Sequence, residues 1–240
     1  MRLIIPTLMG ATANAYNVAD SVQQFALGTR AFGIQQDVST TANTLNAGGG
    51  EFIYCQVGGA VACAAPVTFN SLSWTASAIA NTANLATAVG IAANRFTASG
   101  QFGWVQVSGQ APVVNNGTFA ADAGVYIQAA GTLSTTQANG KQIRGMRSII
   151  AAAAAITKAS CKTTNGMTQL VVPNTDGLFC GLAVSGTGIA ASTITDIDPG
   201  GNLVTLSAAM TASGRVTATF TYTNLGAVMM NHPHAQGQTV

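Results

Sequence analysis

The sequence predicts an all-β fold, with a small β-barrel, an extended N-terminal arm and a second small β-sandwich or barrel module. Two observations carry that expectation. Runs such as EFIYCQV and QFGWVQVSG alternate with a period of two, which places successive side chains on opposite faces of a sheet. Turn signals such as GGA, TASG, NNG, NTDG and DPGG then part the runs at about the spacing of short strands, roughly every eight to twelve residues.

Residues 1–50 read as the arm. Asn/Thr pairs and glycines interrupt every potential element, and TTANTLNAGGG reads as a loop or flexible connection. Leu3, Ile4, Ile5, Leu8, Phe25 and Phe32 are spaced along it, which suits docking on a neighbour better than full disorder. Residues 51–159 read as the first barrel, opening with the alternating strand EFIYCQV that carries Phe52 and Tyr54. Pro66 in VACAAPVTF marks an edge, a bulge or a bend. Trp74 to Phe96 mixes alanine with Thr and Asn, and reads as a loop leading into a strand. In QFGWVQVSG, Phe102, Trp104 and Gln106 share one parity, and Gly103, Val105 and Val107 the other. Apolar residues on both parities predict a strand buried on two sides, with Phe52, Tyr54, Phe102, Gly103, Trp104 and Val105 in the barrel core. A recognition patch built on Phe102 and Trp104 is the competing reading.

SIIAAAAAITKAS has the alanine content of a helix but no capping box before it and only strand patterns around it, so β is the reading adopted. Residues 160–224 read as an inserted β-module. LGAVMM, within residues 225–231, reads as a last strand returning to the first domain. Residues 232–240 read as an irregular tail.

The composition narrows the function classes. Of 240 residues, 48% are hydrophobic but only 7% charged, against roughly a quarter charged in an ordinary soluble domain. So few charges protect poorly against self-association. Either much of the surface is covered in the native state, or the chain is a Gly/Thr/Asn-rich β-protein with an uncharged polar face. The densest cations, Lys141, Arg144 and Arg147, make no stripe of the kind that nucleic acid requires. They suit a polar turn or a charged subunit contact, and no nucleic-acid partner is expected.

No apolar run is long enough for a membrane span, and MRLIIPTLMG lacks the pattern of a secretory leader. The four cysteines form no Cys-x-x-Cys pair and suit small buried hydrophobes in a reducing compartment. His232 and His234 flank Pro233 in the tail, Glu51 is the one glutamate, and the aspartates are scattered apart from Asp196 and Asp198. General acid–base or nucleophilic catalysis needs a positioned set of groups. The sequence offers none, so neither an enzyme nor a metal or cofactor is expected.

GEFIYCQVGGAVACAAPVTF, AVGIAANRFTASGQFGWVQVSGQAPV and GKQIRGMRSIIAAAA, over about Gly50 to Ala155, resemble the decoration (cement, or head-stabilising) proteins of tailed phages. LGAVMMNHPH is similar to that family's closing strand and tail. The resemblance implies a β-tulip-like barrel in a structural virion protein on the outer surface of the mature capsid. The implied partners are the major capsid protein and further copies of the chain, as a homo-oligomer of trimeric type. Leu3, Ile4, Ile5, Leu8, Phe25 and Phe32 would then be the capsid-binding arm, and deletion of residues 1–47 is expected to leave the barrel folded. The inserted module departs from a simple decoration protein and opens an alternative, a head fibre or surface module that binds host glycans. Phe179, Phe220 and Tyr222 are the aromatics that module offers.

Overall fold

The computed structural model describes residues 2–4, 12–13, 19–34, 50–150, 155–175, 178, 181–198, 201–221 and 225–237, and among them all regular structure is strand. The N-terminal segment contributes β1 (Arg2–Ile4), β2 (Thr12–Ala13) and β3 (Arg30–Ile34). It is followed by β4 (Gly50–Val57), β5 (Pro66–Asn70), β6 (Thr75–Ala78), β7 (Ala88–Ala92) and β8 (Phe102–Gln106). Next come β9 (Ser108–Val114), β10 (Gly124–Ala129), β11 (Thr132–Ser134) and β12 (Gln142–Ile150). A further run comprises β13 (Ala155–Thr163), β14 (Gln169–Val171), β15 (Ala183–Gly186), β16 (Ile189–Asp198), β17 (Leu203–Leu206) and β18 (Gly214–Thr221). The last strand is β19 (Leu225–Ala235).

Thirteen strands share one sheet, in the order β11-β10-β12-β19-β7-β5-β6-β4-β3-β1-β2, with β8 beside β4 and β7 and β9 beside β19. Because β8 bridges β4 and β7, the strands β4, β6, β5, β7 and β8 close on themselves as a five-stranded barrel. Its interior is filled from one parity of each strand, including Ile53, Cys55, Val67, Phe69, Ala92 and Val105. A ring of five strands has little room inside, and two positions show it. A Cβ on Gly90 would stand 2.3 Å from Val105 Cγ1, and one on Gly103 would stand 2.5 Å from Asn94 Oδ1 and 2.8 Å from the Phe96 ring. Asn94 is fully buried there, and its Oδ1 accepts the Trp104 backbone N–H at 2.7 Å.

Pro66 is the first residue of β5, a position where its missing N–H removes no ladder bond. The expectation of a loop after Trp74 is corrected over Thr75–Ala78. These four residues form β6, held in parallel register with β4 (Gln56↔Thr75) and antiparallel to β5. Cross-strand partners outweigh the weak strand propensity of alanine at such a site.

β9, β10, β12 and β19 continue the sheet and enclose a second cluster that includes Val113, Val125, Ile127, Ile143, Val228 and Met230. β13 to β18 close separately as a six-stranded barrel, in the order β13-β14-β17-β16-β15-β18. Leu170, Leu182, Ile194, Val204 and Phe220 fill it, and the same cluster runs on to Ala64, in the turn before β5, and to Leu225 and Ala227 of β19. This barrel starts at Ala155, ahead of the boundary at residue 160 suggested by composition.

The expectation of an irregular tail over 232–240 is corrected for residues 232–235; residues 238–240 lie outside the described residues. β19 continues through Ala235, with Ile143↔Ala235 and Arg144↔His234 on β12 and His234↔Ala88 on β7. Strands on both sides pair with this segment, so the polar side chains of NHPHA are no obstacle to a ladder.

Candidate interaction surface

Among the described residues, the outer face of β4 and β8 gathers the largest group of aromatic contacts. Period-two alternation sends Ile53, Cys55 and Val105 into the barrel and therefore turns Phe52, Tyr54 and Trp104 outward. These three are nonetheless completely buried. Residues 19–34 lie over them, with Phe25, Leu27 and Ala31 packed on the cluster. Phe25 stands edge-on to Tyr54 at 5.2 Å and 5.5 Å from Trp104, and Tyr54 is 5.1 Å from Trp104. Such aromatic contacts add about 0.5–1.5 kcal/mol per pair beyond area burial.

The sequence-derived barrel core is thus divided. Gly103 and Val105 face the barrel interior, whereas Phe52, Tyr54 and Trp104 form an outer layer beneath the N-terminal segment, and Phe102 is only half-buried at its rim. The alternation was legible in the sequence, but which parity faced inward depended on the closure of the ring.

Polar contacts hold the cover down. Asp20 and Phe102 exchange backbone hydrogen bonds of 2.8 and 2.9 Å, and Gly28 N–H donates to Tyr54 O while Tyr54 N–H donates to Thr29 O. The Tyr54 hydroxyl donates to Asp20 Oδ2 at 2.7 Å and accepts from the Gln24 N–H at 3.2 Å. Burial pushes the Tyr54 hydroxyl well above the usual phenol range, and the Asp20 carboxylate raises it further, against the opposing Gln24 N–H. Beneath this layer, burial alone pushes the Cys55 thiol up to about 12, which makes it inert as a nucleophile at neutral pH. Gly28, at φ +82°, passes the Trp74 indole so closely that a Cβ would stand 2.5 Å from the ring.

The cover ends at an ionic junction. Arg30 of β3 forms an ion pair with Glu51 of β4, and His232 Nε2 of β19 lies 2.7 Å from Glu51 Oε2. Glu51 is 8% exposed. Its burial favours the neutral acid, but hydrogen bonds and charge from Arg30 and His232 outweigh this and hold the carboxyl below the usual range. His232 reaches this site because β19 bulges. Met146↔Met230 and Arg144↔His234 leave Asn231, His232 and Pro233 opposite the single residue Gly145. Gly145 has φ +75°, and a Cβ on it would lie 2.7 Å from Asn231 O. His232 itself sits at φ 44°, with its N–H donating to Val107 O. The junction joins residues 181 positions apart in the chain, and nothing local signals it.

The other candidate residues disperse. Leu3 and Ile4 belong to β1, which pairs with β3 and β2, while Ile5 and Leu8 lie outside the described residues. Phe25 is committed to the cover, whereas Phe32 is 51% exposed and Val22, three residues before Phe25, is exposed as well. Lys141 donates to Asn81 Oδ1 at 2.8 Å, Arg147 pairs with Asp122 at 3.5 Å with both ends in solvent, and Arg144 is exposed opposite His234. Phe220, the described aromatic of the second barrel, is wholly buried and presents no platform; Phe179 and Tyr222 lie outside the described residues. Among the described residues, no group of three His, Cys, Asp or Glu side chains converges to hold a metal ion.

In comparisons with known proteins, no family model, no curated protein and no solved structure matches this chain.

Proposed function

We propose that the chain is a structural, non-enzymatic virion protein, a capsid decoration protein of the β-tulip type. In this reading it sits on the outer surface of a mature phage capsid, as a homotrimer, and ties neighbouring major capsid proteins together. The observation that carries the reading is the course of the N-terminal strands. β3, β1 and β2 extend the sheet beyond the barrel, and among the described residues β2 has a strand on one side only. An unpaired edge is a template for a strand from another chain, with backbone hydrogen bonds supplying affinity. Phe32, exposed on β3, adds apolar area to the same end of the sheet. A surface poor in charge suits contact with a protein shell, and many weak copies on one shell gain from avidity.

The structure alters how the arm is to be tested. Deleting residues 1–47 would strip the cover from Phe52, Tyr54 and Trp104 and remove Arg30 from Glu51. Lost binding would then report unfolding as much as lost contact. The informative variants are deletion of residues 1–18, which spares the cover, and Phe32→Asp. Wild-type protein is expected to co-sediment to saturation with mature capsids of the phage that carries it, and each variant to lose at least about tenfold in affinity, the equivalent of 1.4 kcal/mol. Absence of wild-type binding would overturn the decoration reading. Undiminished binding by both variants would overturn the role of the N-terminal strands.

A further inference from the structure

The weakest seam of the six-stranded barrel lies between β13 and β14. The described ladder there has one register pair, Lys162↔Val171, whereas β13 and β18 share seven. Following the antiparallel register away from that pair, towards Lys158 on one strand and past Val171 on the other, brings the chain to Pro173 and Asn174. Pro173 has no N–H to donate, so the ladder cannot simply continue. A side-chain contact takes its place. Lys158 Nζ donates to Asn174 Oδ1, both residues being half-buried. Lys158 shares the parity of Ile156, which packs against the barrel core, and its cross-strand partner Ala218 is fully buried. The amine is therefore held against the carboxamide on the flank of a packed core.

We propose that Lys158 and Asn174 form an intramolecular isopeptide bond that closes this seam covalently. The uncharged Lys158 amine attacks Asn174 Cγ, the Nζ–Cγ amide forms, the Cγ–Nδ2 bond breaks, and Nδ2 leaves as ammonia. Counted from the protonated lysine, the products are the amide and one ammonium ion, so atoms and charge balance with no oxidant, reductant or other co-reactant. Amide aminolysis is slow between free molecules. Holding the two groups in contact supplies effective concentrations of about 10⁵–10⁸ M in well-oriented cases. The barrel gains from such a link because a module of this size has a small core, and covalent closure limits its unfolded ensemble.

Intact-mass measurement of the purified full chain, incubated at neutral pH, tests the proposal. The wild type is expected to run about 17 Da below its sequence mass, the loss of one ammonia. Lys158→Arg and Asn174→Ala are each expected to return to their own sequence masses. Trypsin should release a branched species in which Ser148–Lys162, uncut at Lys158, is joined to Thr163–Arg215. A wild type at full sequence mass overturns the proposal. So does a 17 Da loss found only on linear peptides at Asn116-Gly117, Asn139-Gly140 or Asn165-Gly166, which is the mark of a succinimide.

Discussion

Glu51 takes contacts from both Arg30 and His232, and its chemistry gives a pH signature. Its folded-state carboxyl titrates below the ordinary carboxylate value of 4.5. Between the folded and unfolded values the unfolded chain therefore binds more protons, and stability rises with pH across that window. The contribution is fully present above 4.5 and is lost as pH falls through the folded value. Denaturant midpoints measured from pH 7 down to pH 3 are expected to fall at the acid end in the wild type. Glu51→Gln should flatten that decline and cost about 2 kcal/mol at pH 7, in the range for hydrogen bonds to charged groups. An unchanged acid slope in the variant would show that Glu51 is not its source. Trp104 is a second test at this scale. It is fully buried between the barrel wall and the N-terminal cover, so Trp104→Ala is expected to cost about 3–5 kcal/mol. Calorimetry of the variant checks this, and a folded protein of near wild-type stability would restore the reading of Trp104 as a recognition residue.

At the scale of elements, the N-terminal segment divides into two parts with different duties. Residues 19–34 roof the aromatic layer, whereas β1 and β2 pair only with one another and with β3 among the described strands. Deletion of residues 1–18 is expected to leave the melting temperature nearly unchanged. Deletion of residues 1–34 uncovers Phe52, Tyr54 and Trp104, at about 1.5–3 kcal/mol for each ring fully returned to water, and should lower it sharply. Equal melting of the two truncations would contradict the division. The sequence announced the strands of this region by alternation, but it described the arm as one weakly patterned stretch. Phe25 and Phe32 look alike there, seven residues apart among Ser, Gln, Gly and Thr. Phe25 packs on Tyr54 and Trp104, whereas the β3–β4 register sets Ala31 opposite Phe52 and so turns Phe32, opposite Glu51, to the other face. The β19 bulge was equally hidden. Gly145→Ala is expected to destabilise by about 1–2 kcal/mol, since it strains a positive φ and meets Asn231 O. Urea unfolding measures this.

At the scale of the molecule, the six-stranded barrel shares its packing with the larger sheet. The cluster that fills it extends to Ala64 and to Leu225 and Ala227 of β19, so unfolding is expected to cross from one sheet to the other. Both tryptophans, Trp74 and Trp104, belong to the first sheet. Leu225→Ala is expected to cost about 2–5 kcal/mol. It should lower together the tryptophan-fluorescence transition of the first sheet and the amide protection of Phe220 in the second barrel. Transitions that separate, with only one of them shifted, would overturn the coupling. What the sequence determined by itself was the strand-rich class, the alternation in each run, the buried character of β8 and the turns between strands. These follow from local preferences and from spacing within a few residues. The tertiary structure decided which parity of β4 and β8 faced the barrel, that the arm roofs the other parity, and that Arg30, Glu51 and His232 meet. Each of those outcomes depends on ring closure between strands far apart in the chain, and a two-fold alternation is indifferent to which of its faces turns inward.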